Sequence, residues 1–417
     1  MAKNKLKQCF EHQSLKLNDG LSETELKAFQ SFYGSGKDFP YYSLIHNGIK
    51  FNEYVGVIQV GKTVIEVLPK ADKESNPDKT KWQSILIGML RVVNDLKEDA
   101  SGYSSLKLKP NSILEMYFEI FITEVEYLIR TGMLRKYRNN ESNQHTLKGR
   151  LVFSKQIQKN LVHKERFYTR NTIYDHEHIW HIIIHQAIKL IKKLSENASL
   201  HSRIGQLELI FPSMPSIHIS ENTFTRLVYN RQTIRYQKAI EIAKLLLLNY
   251  HPDIQSGRNN VLALMFNMNE LWERFVYKSL GKHLRASNEY SLHAQKSYPF
   301  WKSTRMKNIK PDIIVKSTES DASWIWDTKW KLPKDLNPSS GDLQQMYAYA
   351  GILDSQSVAL VYPGEGETIS GKFVHLNSHK EGAQCSIISI PVSADMAQWQ
   401  KMIYDCFERF LLKTEPF

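Results

Sequence analysis

The most informative residues are Lys310-Pro311-Asp312-Ile313-Ile314-Val315, followed after a short polar segment by Trp326-Asp327-Thr328-Lys329-Trp330. The first run is apolar and β-branched, as strands prefer, and the polar segment is typical turn material. If the hairpin folds symmetrically about that turn, Asp312 lies opposite Asp327. Because residues two apart on a strand share a face, Lys329 joins both acids on one side of the sheet.

Two acids and a lysine that converge in this way suit phosphodiester hydrolysis. Carboxylates hold Mg²⁺, a hard cation that prefers oxygen ligands, and the metal polarises the phosphate and acidifies a bound water. We expect Asp312, Asp327 and the Thr328 carbonyl to hold the metal. Lys329 is expected to orient or activate the attacking water, or to compensate charge on the phosphate.

The predicted helices on either side of the hairpin add candidate residues. Glu273 would supply a third carboxylate, and the neighbouring Glu270 is the competing choice. Gln345 and Tyr349 are spaced i,i+4, so they share a helix face and are expected to contact DNA or support the acids. A solvated cross-strand ion pair and simple helix packing are the structural alternatives. The apolar frame of the hairpin and the order of helices and strands around it favour the catalytic interpretation.

Composition points toward a polyanionic partner. The 417 residues include 55 Lys and Arg against 43 Asp and Glu, a net charge of +12 and a pI near 9.3, which favours nucleic acid. Just before the hairpin lies a basic cluster that we expect to contact DNA phosphates, formed by Lys302, Arg305, Lys307 and Lys310. Outside a metal site, the same cluster would be an ordinary solvated loop.

The remaining composition fits an intracellular protein. The three cysteines are scattered, which argues against a zinc ribbon or a disulfide scaffold and suits a reducing cytoplasm. The basic N-terminus leads into no apolar segment of the kind found in signal peptides. The most apolar run, 179–184, is too short and too close to charge to span a bilayer. We therefore expect a cytoplasmic location and no membrane partner.

One motif is misleading. Residues 56–63 fit the P-loop pattern G-x-x-x-x-G-K-[ST], but a phosphate-binding loop must lead into a helix whose N-terminus faces the anion. Here the pattern is followed by 63–69, an alternating strand that ends at proline. We interpret Gly61-Lys62 as a hairpin turn and expect this chain to bind no nucleotide.

Hydrophobic periodicity divides the chain into a β-rich region 1–115, a mostly helical region 116–255 and an α/β region 256–417. The first contains a predicted hairpin of 54–60 and 63–69. Helical spacing is found at 81–95, 112–131, 174–195 and 233–249, with a polar, turn-rich connection at 138–144. After a break near 250–260, the predicted elements are a helix 261–283, strands 290–300, 309–316, 323–330, 356–362 and 385–391, and helices 340–353 and 396–412. This order predicts a mixed sheet flanked by helices.

The chain resembles the McrC family, the nuclease subunits of modified-cytosine-dependent McrBC restriction systems. The resemblance includes Glu53 to Ile58, Ile65 to Lys70, Thr146 to Leu151, Phe266 to Glu273, and the blocks Lys310-Pro311-Asp312, Asp327 to Lys331 and Gln345 to Ala350.

The family implies a restriction-endonuclease-like PD-(D/E)xK core with Asp312, Asp327 and Lys329 as the catalytic set. Glu273 falls at the family's helix acid, and Gln345 and Tyr349 match a Q-x-x-x-Y feature. It also implies an α+β N-terminal region that docks on a hexameric ring of the AAA+ GTPase McrB. That partner binds GTP, is stimulated by this subunit, and carries modified-base recognition.

Three functions remain open at this point. The first is a Mg²⁺-dependent subunit that cleaves double-stranded DNA when driven by the GTPase. The second is a non-catalytic adaptor that activates an NTPase ring, and the third is a stand-alone, structure-dependent DNA nuclease. The specific modification, the stoichiometry, the GTPase-stimulating residue and the role of 1–35 are not encoded in any local pattern.

Overall fold

The computed structural model describes residues 6–33, 40–61, 63–70, 77–94, 112–195, 197–251, 260–285, 289–304, 306–331, 337–355, 357–374 and 382–412. The chain forms two compact units. The first combines Met1–Lys109 with Met265–Phe417, and the second is Pro110–Leu264. The predicted N-terminal and nuclease regions thus lie mainly in the first unit, and the predicted middle region lies within the second.

The N-terminal part of the first unit is built on a hairpin. Its elements are β1 Leu6–Phe10, β2 Ser14–Lys16, a 3-10 helix Leu17–Asp19, α1 Glu23–Tyr33, β3 Tyr42–Ile45, β4 Gly48–Phe51, β5 Tyr54–Val60, β6 Thr63–Leu68 and α2 Lys79–Val93. Strands β5 and β6 pair antiparallel, and β1 adds parallel to β6. A separate small sheet has the order β2-β4-β3.

The interpretation of the P-loop pattern as a hairpin turn is confirmed. Val60 pairs directly with Thr63, and Gly61 has a left-handed φ of 60°, a conformation that suits glycine in a tight turn. Lys62 lies outside the described residues. The segment after the turn is the buried strand β6, so it offers no helix N-terminus to a phosphate.

The second unit mixes helices with a small sheet. Its elements are α3 Ile113–Arg130, β7 Lys136–Gln144, β8 Arg150–Leu151, α4 Phe153–Asn160, β9 Phe167–Asp175, α5 Ile179–Leu194, α6 Ala198–Ile210, α7 Glu221–Thr225, a 3-10 helix Ile234–Tyr236, α8 Gln237–Leu248 and β10 Tyr250–His251. Strand β11, Val261–Asn267, spans the boundary between the units.

Two sequence predictions in this unit are wrong. The supposed polar connection 138–144 is part of β7, which pairs with β9 along its whole length. The helix predicted from residue 174 begins at Ile179, because 174–175 still belong to β9. Strand β7 is mostly polar and has no buried residue, so it lacks the hydrophobic alternation that identifies a strand.

The C-terminal part of the first unit carries the mixed sheet. Its elements are α9 Met268–Leu284, β12 Tyr290–Ala294, β13 Tyr298–Lys302, β14 Met306–Ile309, β15 Ile313–Ser317, β16 Ser323–Thr328, α10 Ser340–Leu353, β17 Ser357–Pro363, β18 Ile369–Lys372, β19 Gln384–Ile390 and α11 Met396–Leu412. The six-stranded sheet has the order β12-β15-β16-β17-β19-β18. Strand β17 is parallel to β16 and β19, and the remaining pairs are antiparallel.

The helix predicted at 261–283 is wrong in its first third. Residues 261–267 form strand β11, and the helix begins only at Met268. The Asn267 side chain accepts hydrogen bonds from the backbone N–H groups of Asn269 and Glu270, which is the N-cap arrangement. A continuous apolar run such as Val261–Leu264 suits a buried strand or a buried helix equally well.

Helices cover both faces of the mixed sheet, as the sequence predicts. On one face, Ile325 of β16 is buried with Met346 of α10. On the other face, the Trp326 ring lies 5.3 Å from the ring of Phe407 in α11. Because neighbouring strand residues point to opposite faces, Asp327 lies on the α10 side, below Gln345 and Tyr349.

The two chain segments of the first unit share buried contacts. Helix α2 packs on α9 and α11, and its Gly88 lies where a Cβ would meet Met396 Cγ at 2.5 Å. The indole Nε1 of Trp330 donates to Glu11 Oε1 at 2.8 Å. Within the described residues, no helix has the length and apolar character needed to cross a bilayer.

Candidate active site

The hairpin β15–β16 brings the two acids together. Lys316 pairs with Ser323 and Ile313 pairs with Trp326, which is the register predicted from the symmetric turn. Asp312 immediately precedes β15, and Asp327 is the penultimate residue of β16. The acids therefore meet at the open end of the hairpin.

Asp327 is the most enclosed group of the site, with no solvent-exposed surface. Its Oδ2 lies 2.7 Å from the Lys329 ammonium, and its Oδ1 accepts a hydrogen bond of 3.2 Å from Gln345 Nε2. Burial, and then the negative charge of Asp312, raise the pKa of Asp327 to about 6. The carboxylate is thus held in a place where its charge is incompletely balanced.

Asp312 is fixed by the strand opposite. Its Oδ2 accepts hydrogen bonds from the Thr328 backbone N–H at 2.8 Å and from the Thr328 hydroxyl at 3.1 Å. Burial raises the pKa of Asp312 above its ordinary value despite these bonds and the charge of Lys329. The described role of Thr328 is to orient Asp312, and a metal contact of its carbonyl stays a prediction.

Lys329 is a stable cation at this site. Burial alone would lower its pKa, but the charges of Asp327 and Asp312 raise the pKa above its ordinary value. Its ammonium also donates to Gln345 Oε1 at 3.3 Å, and its backbone N–H donates to Val361 O at 2.9 Å in β17. A lysine held in this way supplies positive charge at neutral pH rather than a free base.

The structure distinguishes the two candidate helix acids by position. Glu273 is half-buried beside the aspartates, and burial together with the charge of Asp312 raises the pKa of Glu273 to about 7. Glu270 is exposed and lies 3.9 Å from Arg274, one turn along α9. Glu273 is therefore the helix acid that belongs to the carboxylate cluster.

Gln295 is a site residue that sequence reasoning missed. Its Nε2 donates to Glu273 Oε1 at 2.8 Å and to Asp312 Oδ1 at 3.1 Å, so one amide bridges two carboxylates. Its backbone N–H donates to Asp312 O at 3.1 Å, and its φ of 51° is left-handed, which is uncommon for a residue other than glycine. No sequence pattern marks such a backbone position.

The Gln and Tyr of α10 both reach the site. Besides its bonds to Asp327 and Lys329, Gln345 lies 2.6 Å from the Tyr349 hydroxyl. That hydroxyl donates to the Lys310 carbonyl at 3.2 Å, and the Tyr349 ring is part of the core beneath the sheet. These contacts are of the kind expected if the two residues support the acids, which is one of the two roles that the sequence predicts for them. Contact with DNA is the other role, and it stays a prediction.

The predicted basic rim is solvent-facing. Lys302, Lys307 and Lys310 are all exposed, the first two on strands β13 and β14 and the third two residues before Asp312. Arg305 lies outside the described residues. Lys310, which is exposed and two residues before Asp312, therefore adds a positive charge close to that acid along the chain.

The donor chemistry of the cluster suits a hard divalent cation. Its anionic groups are the carboxylates of Asp312, Asp327 and Glu273, and Mg²⁺ prefers such oxygen ligands. Burial, and then the negative charge of Asp312, raise the pKa values of Glu273 and Asp327, and a bound cation would relieve the repulsion between the carboxylates. As the side chains stand, no group of three His, Cys, Asp or Glu in the described part of the chain is arranged to enclose a metal ion.

Comparisons with known proteins agree on one family. A family model described as McrBC 5-methylcytosine restriction system component matches residues 49–363. The type IV methyl-directed restriction enzyme EcoKMcrBC of Escherichia coli (strain K12) is 22% identical over 281 residues, which cover 64% of this chain and 77% of that protein.

A solved structure shares the fold over nearly the whole chain. It is described as a refined half-complex from a tetradecameric assembly of Thermococcus gammatolerans McrB AAA+ hexamers with bound McrC. The TM-score is 0.68 at 19% identity, and the alignment covers 97% of this chain and 100% of that chain.

Proposed function

The chain belongs to the family of McrBC 5-methylcytosine restriction system components, and from that premise we propose that it is the subunit that cleaves DNA. In this proposal the β15–β16 hairpin and its helices form a PD-(D/E)xK nuclease core. The observation that carries the proposal is the cluster of Asp312, Glu273 and the fully buried Asp327, with the ammonium of Lys329 2.7 Å from Asp327.

The residues divide the reaction between them. Asp312 and Asp327, with Glu273 beside them, would hold Mg²⁺, which when bound polarises the phosphate and acidifies a water. Lys329, kept cationic by the acids, places positive charge where negative charge develops on the phosphate oxygens in the pentacoordinate transition state. Gln345 holds both Asp327 and Lys329, so it fixes the distance between the carboxylate and the ammonium.

The partner in this proposal is a ring of an AAA+ GTPase that resembles McrB. Support comes from the shared fold with a McrC chain that is described as bound to McrB AAA+ hexamers. In this proposal GTP is bound by the partner, and support comes from the P-loop pattern of this chain, which forms a hairpin and no phosphate-binding loop. In this proposal the partner recognises modified cytosine in double-stranded DNA, and this chain stimulates the partner's GTPase activity.

The decisive experiment is Asp327→Ala in the complex reconstituted with its GTPase, Mg²⁺, GTP and methylated DNA. We expect cleavage to be abolished, because the most buried carboxylate is removed, while partner binding and GTPase stimulation persist. Cleavage is measured on a linear duplex, and GTPase activity by phosphate release.

Asp321→Ala is the matched control, since Asp321 is exposed in the turn of the same hairpin. Cleavage by Asp327→Ala at the wild-type rate would refute the site assignment. A wild-type complex that stimulates GTPase without ever cutting DNA would favour the adaptor function. Cleavage by the purified chain without nucleotide would favour the stand-alone nuclease.

A further inference from the structure

Strands β13 and β14 form a two-stranded ribbon, here called the basic ribbon (residues 298–309), that pairs with no other sheet in the described residues. Most of its residues are exposed, and Tyr298 and Ile309, which pair with each other at its base, are only half-buried. A ribbon with little core of its own is not explained by packing.

The basic ribbon exposes large apolar side chains. Phe300, Trp301 and Met306 are 57%, 54% and 54% exposed. The pairing register shifts between Pro299 and Trp301, as in a β-bulge, which re-aims side chains and is common beside active sites. Three large apolar groups on one short ribbon therefore face water, where they have no stabilising role.

Cations are placed among these apolar groups. Trp301 pairs with Lys307, and Lys302 pairs with Met306, so both of these cross-strand pairs combine an apolar side chain with a lysine. The sequence 296–311 contains no Asp or Glu. Such a surface attracts a polyanion, and the interleaved aromatic rings match the flat faces of nucleic acid bases.

The basic ribbon is joined at both of its ends to residues of the candidate active site. Gln295, just before it, binds the Asp312 backbone carbonyl at 3.1 Å, and the carbonyl of Lys310, just after it, accepts from Tyr349. At about 3.3 Å per residue, Lys307 lies within roughly 16 Å of Asp312 along the chain. Whatever the ribbon binds is thus held next to the carboxylate cluster.

We propose that the basic ribbon binds double-stranded DNA beside the scissile phosphate. Lys302 and Lys307 contact phosphates, and the Trp301 and Phe300 rings stack on bases or wedge between them. Apolar wedges of this kind unstack base steps and kink the duplex. The inference rests on the proposed nuclease function and adds to it the element that positions the substrate.

The test uses the full-length chain in a cleavage-inactive Asp327→Ala background, so that DNA survives the measurement. Trp301→Ala and the double variant Phe300→Ala/Trp301→Ala are compared with Lys302→Ala/Lys307→Ala. Affinity for a labelled duplex is measured by fluorescence anisotropy across salt concentrations. A duplex carrying 2-aminopurine reports base unstacking by an increase in fluorescence.

Aromatic removal is expected to weaken DNA binding about tenfold, to abolish the 2-aminopurine increase and to leave the salt dependence unchanged. The double lysine variant is expected to reduce the slope of log affinity against log salt by about 1.8, or about 0.9 per lost phosphate contact. Val374→Ala, an 87% exposed apolar position of the same unit, is the matched control and should change neither quantity. Thermal melting verifies that each variant is folded.

Two results would overturn the inference. One is unchanged affinity and 2-aminopurine signal in the aromatic variants. The other is unchanged DNA binding with loss of binding to the GTPase ring, which would make the ribbon a protein-docking surface. The nuclease function fails separately: a wild-type complex that never cleaves refutes it even if the ribbon binds DNA. Conversely, a Trp301→Ala complex that binds and cleaves DNA normally refutes only the DNA-binding role proposed for the ribbon.

Discussion

At the scale of single residues, the site gathers negative charge that the fold itself does not neutralise. Asp327 and Glu273 have pKa values raised to about 6 and about 7, and Lys329 supplies one positive charge. Like charges held close together in a partly buried site cost stability, so their presence here indicates a functional role for the cluster. Three ionised carboxylates against one ammonium leave two negative charges, which a single divalent cation would balance.

Glu11 is another buried acid, outside the carboxylate cluster. Burial raises the pKa of Glu11 to about 7, although Lys70 N and Trp330 Nε1 donate to it. Its folded-state pKa lies above the ordinary 4.5, so its stabilisation is full below about pH 4.5 and is lost as the pH rises through 7.

We therefore predict that Glu11→Gln stabilises the protein at pH 8 and has little effect at pH 4.5. The neutral amide keeps an oxygen for its two donors and removes the buried charge. The expected increase in the free energy of unfolding at pH 8 is on the order of 2–3 kcal/mol, measured by urea unfolding at both pH values. The exposed Glu23→Gln is the control, and a destabilised Glu11→Gln protein at pH 8 would contradict the argument.

The residues of the site differ in how far sequence could predict them. Asp312, Asp327 and Lys329 converge because strand alternation and a symmetric turn fix the register, and both can be deduced from residue types. Gln295 could not be predicted, because its position depends on a left-handed backbone conformation and on a tertiary contact with Glu273. The choice between Glu273 and Glu270 needed the packing of α9.

At the scale of elements, helix α10 acts as a support for the site. It brings Gln345 to Asp327 and Lys329, and Tyr349 anchors Gln345 through its hydroxyl. The ring of Tyr349 is held in the core. We therefore expect the orientation of the candidate catalytic groups to depend on the hydroxyl, and the packing of the helix to depend on the ring.

Tyr349→Phe separates these roles. We expect cleavage by the reconstituted complex to slow about ten- to a hundredfold, as for loss of a supporting hydrogen bond. Stability should fall by only about 1 kcal/mol, because the ring remains. Single-turnover cleavage and urea unfolding measure the two effects.

Tyr347→Phe provides the control on the same helix, since the Tyr347 ring is 46% exposed and packs edge-on against Phe373. It should leave the cleavage rate unchanged. Equal rates for Tyr349→Phe and wild type would show that the hydroxyl does not orient the site.

Several elements were predicted correctly from periodicity and from the turns at their ends. Helix α10 and helix α11 have the predicted ends, and the hairpin β5–β6 follows from alternation and a glycine turn. Strand β7 was missed because it is polar on both faces. Strand β11 was taken for helix because an apolar run has no period to distinguish the two.

At the scale of the whole molecule, the first unit is assembled from two distant parts of the chain. We predict that 265–417 expressed alone does not unfold cooperatively, because α9 and α11 lose the cover of α2 and Trp330 loses Glu11. Near-UV circular dichroism and urea unfolding test this. Fragment 110–264, which forms the other compact unit, is the comparison and should unfold cooperatively. A sharp transition in 265–417 would contradict the prediction.

The split of the first unit also sets the order in which a new chain can mature on the ribosome. Its opening 109 residues must wait while 155 further residues, 110–264, are translated, a delay of roughly 10–30 s at ~5–20 residues per second. The inserted unit is complete before the strands carrying Asp312 and Asp327 emerge. A chain whose translation stops before the hairpin β15–β16 is made therefore contains the inserted unit but no assembled carboxylate cluster.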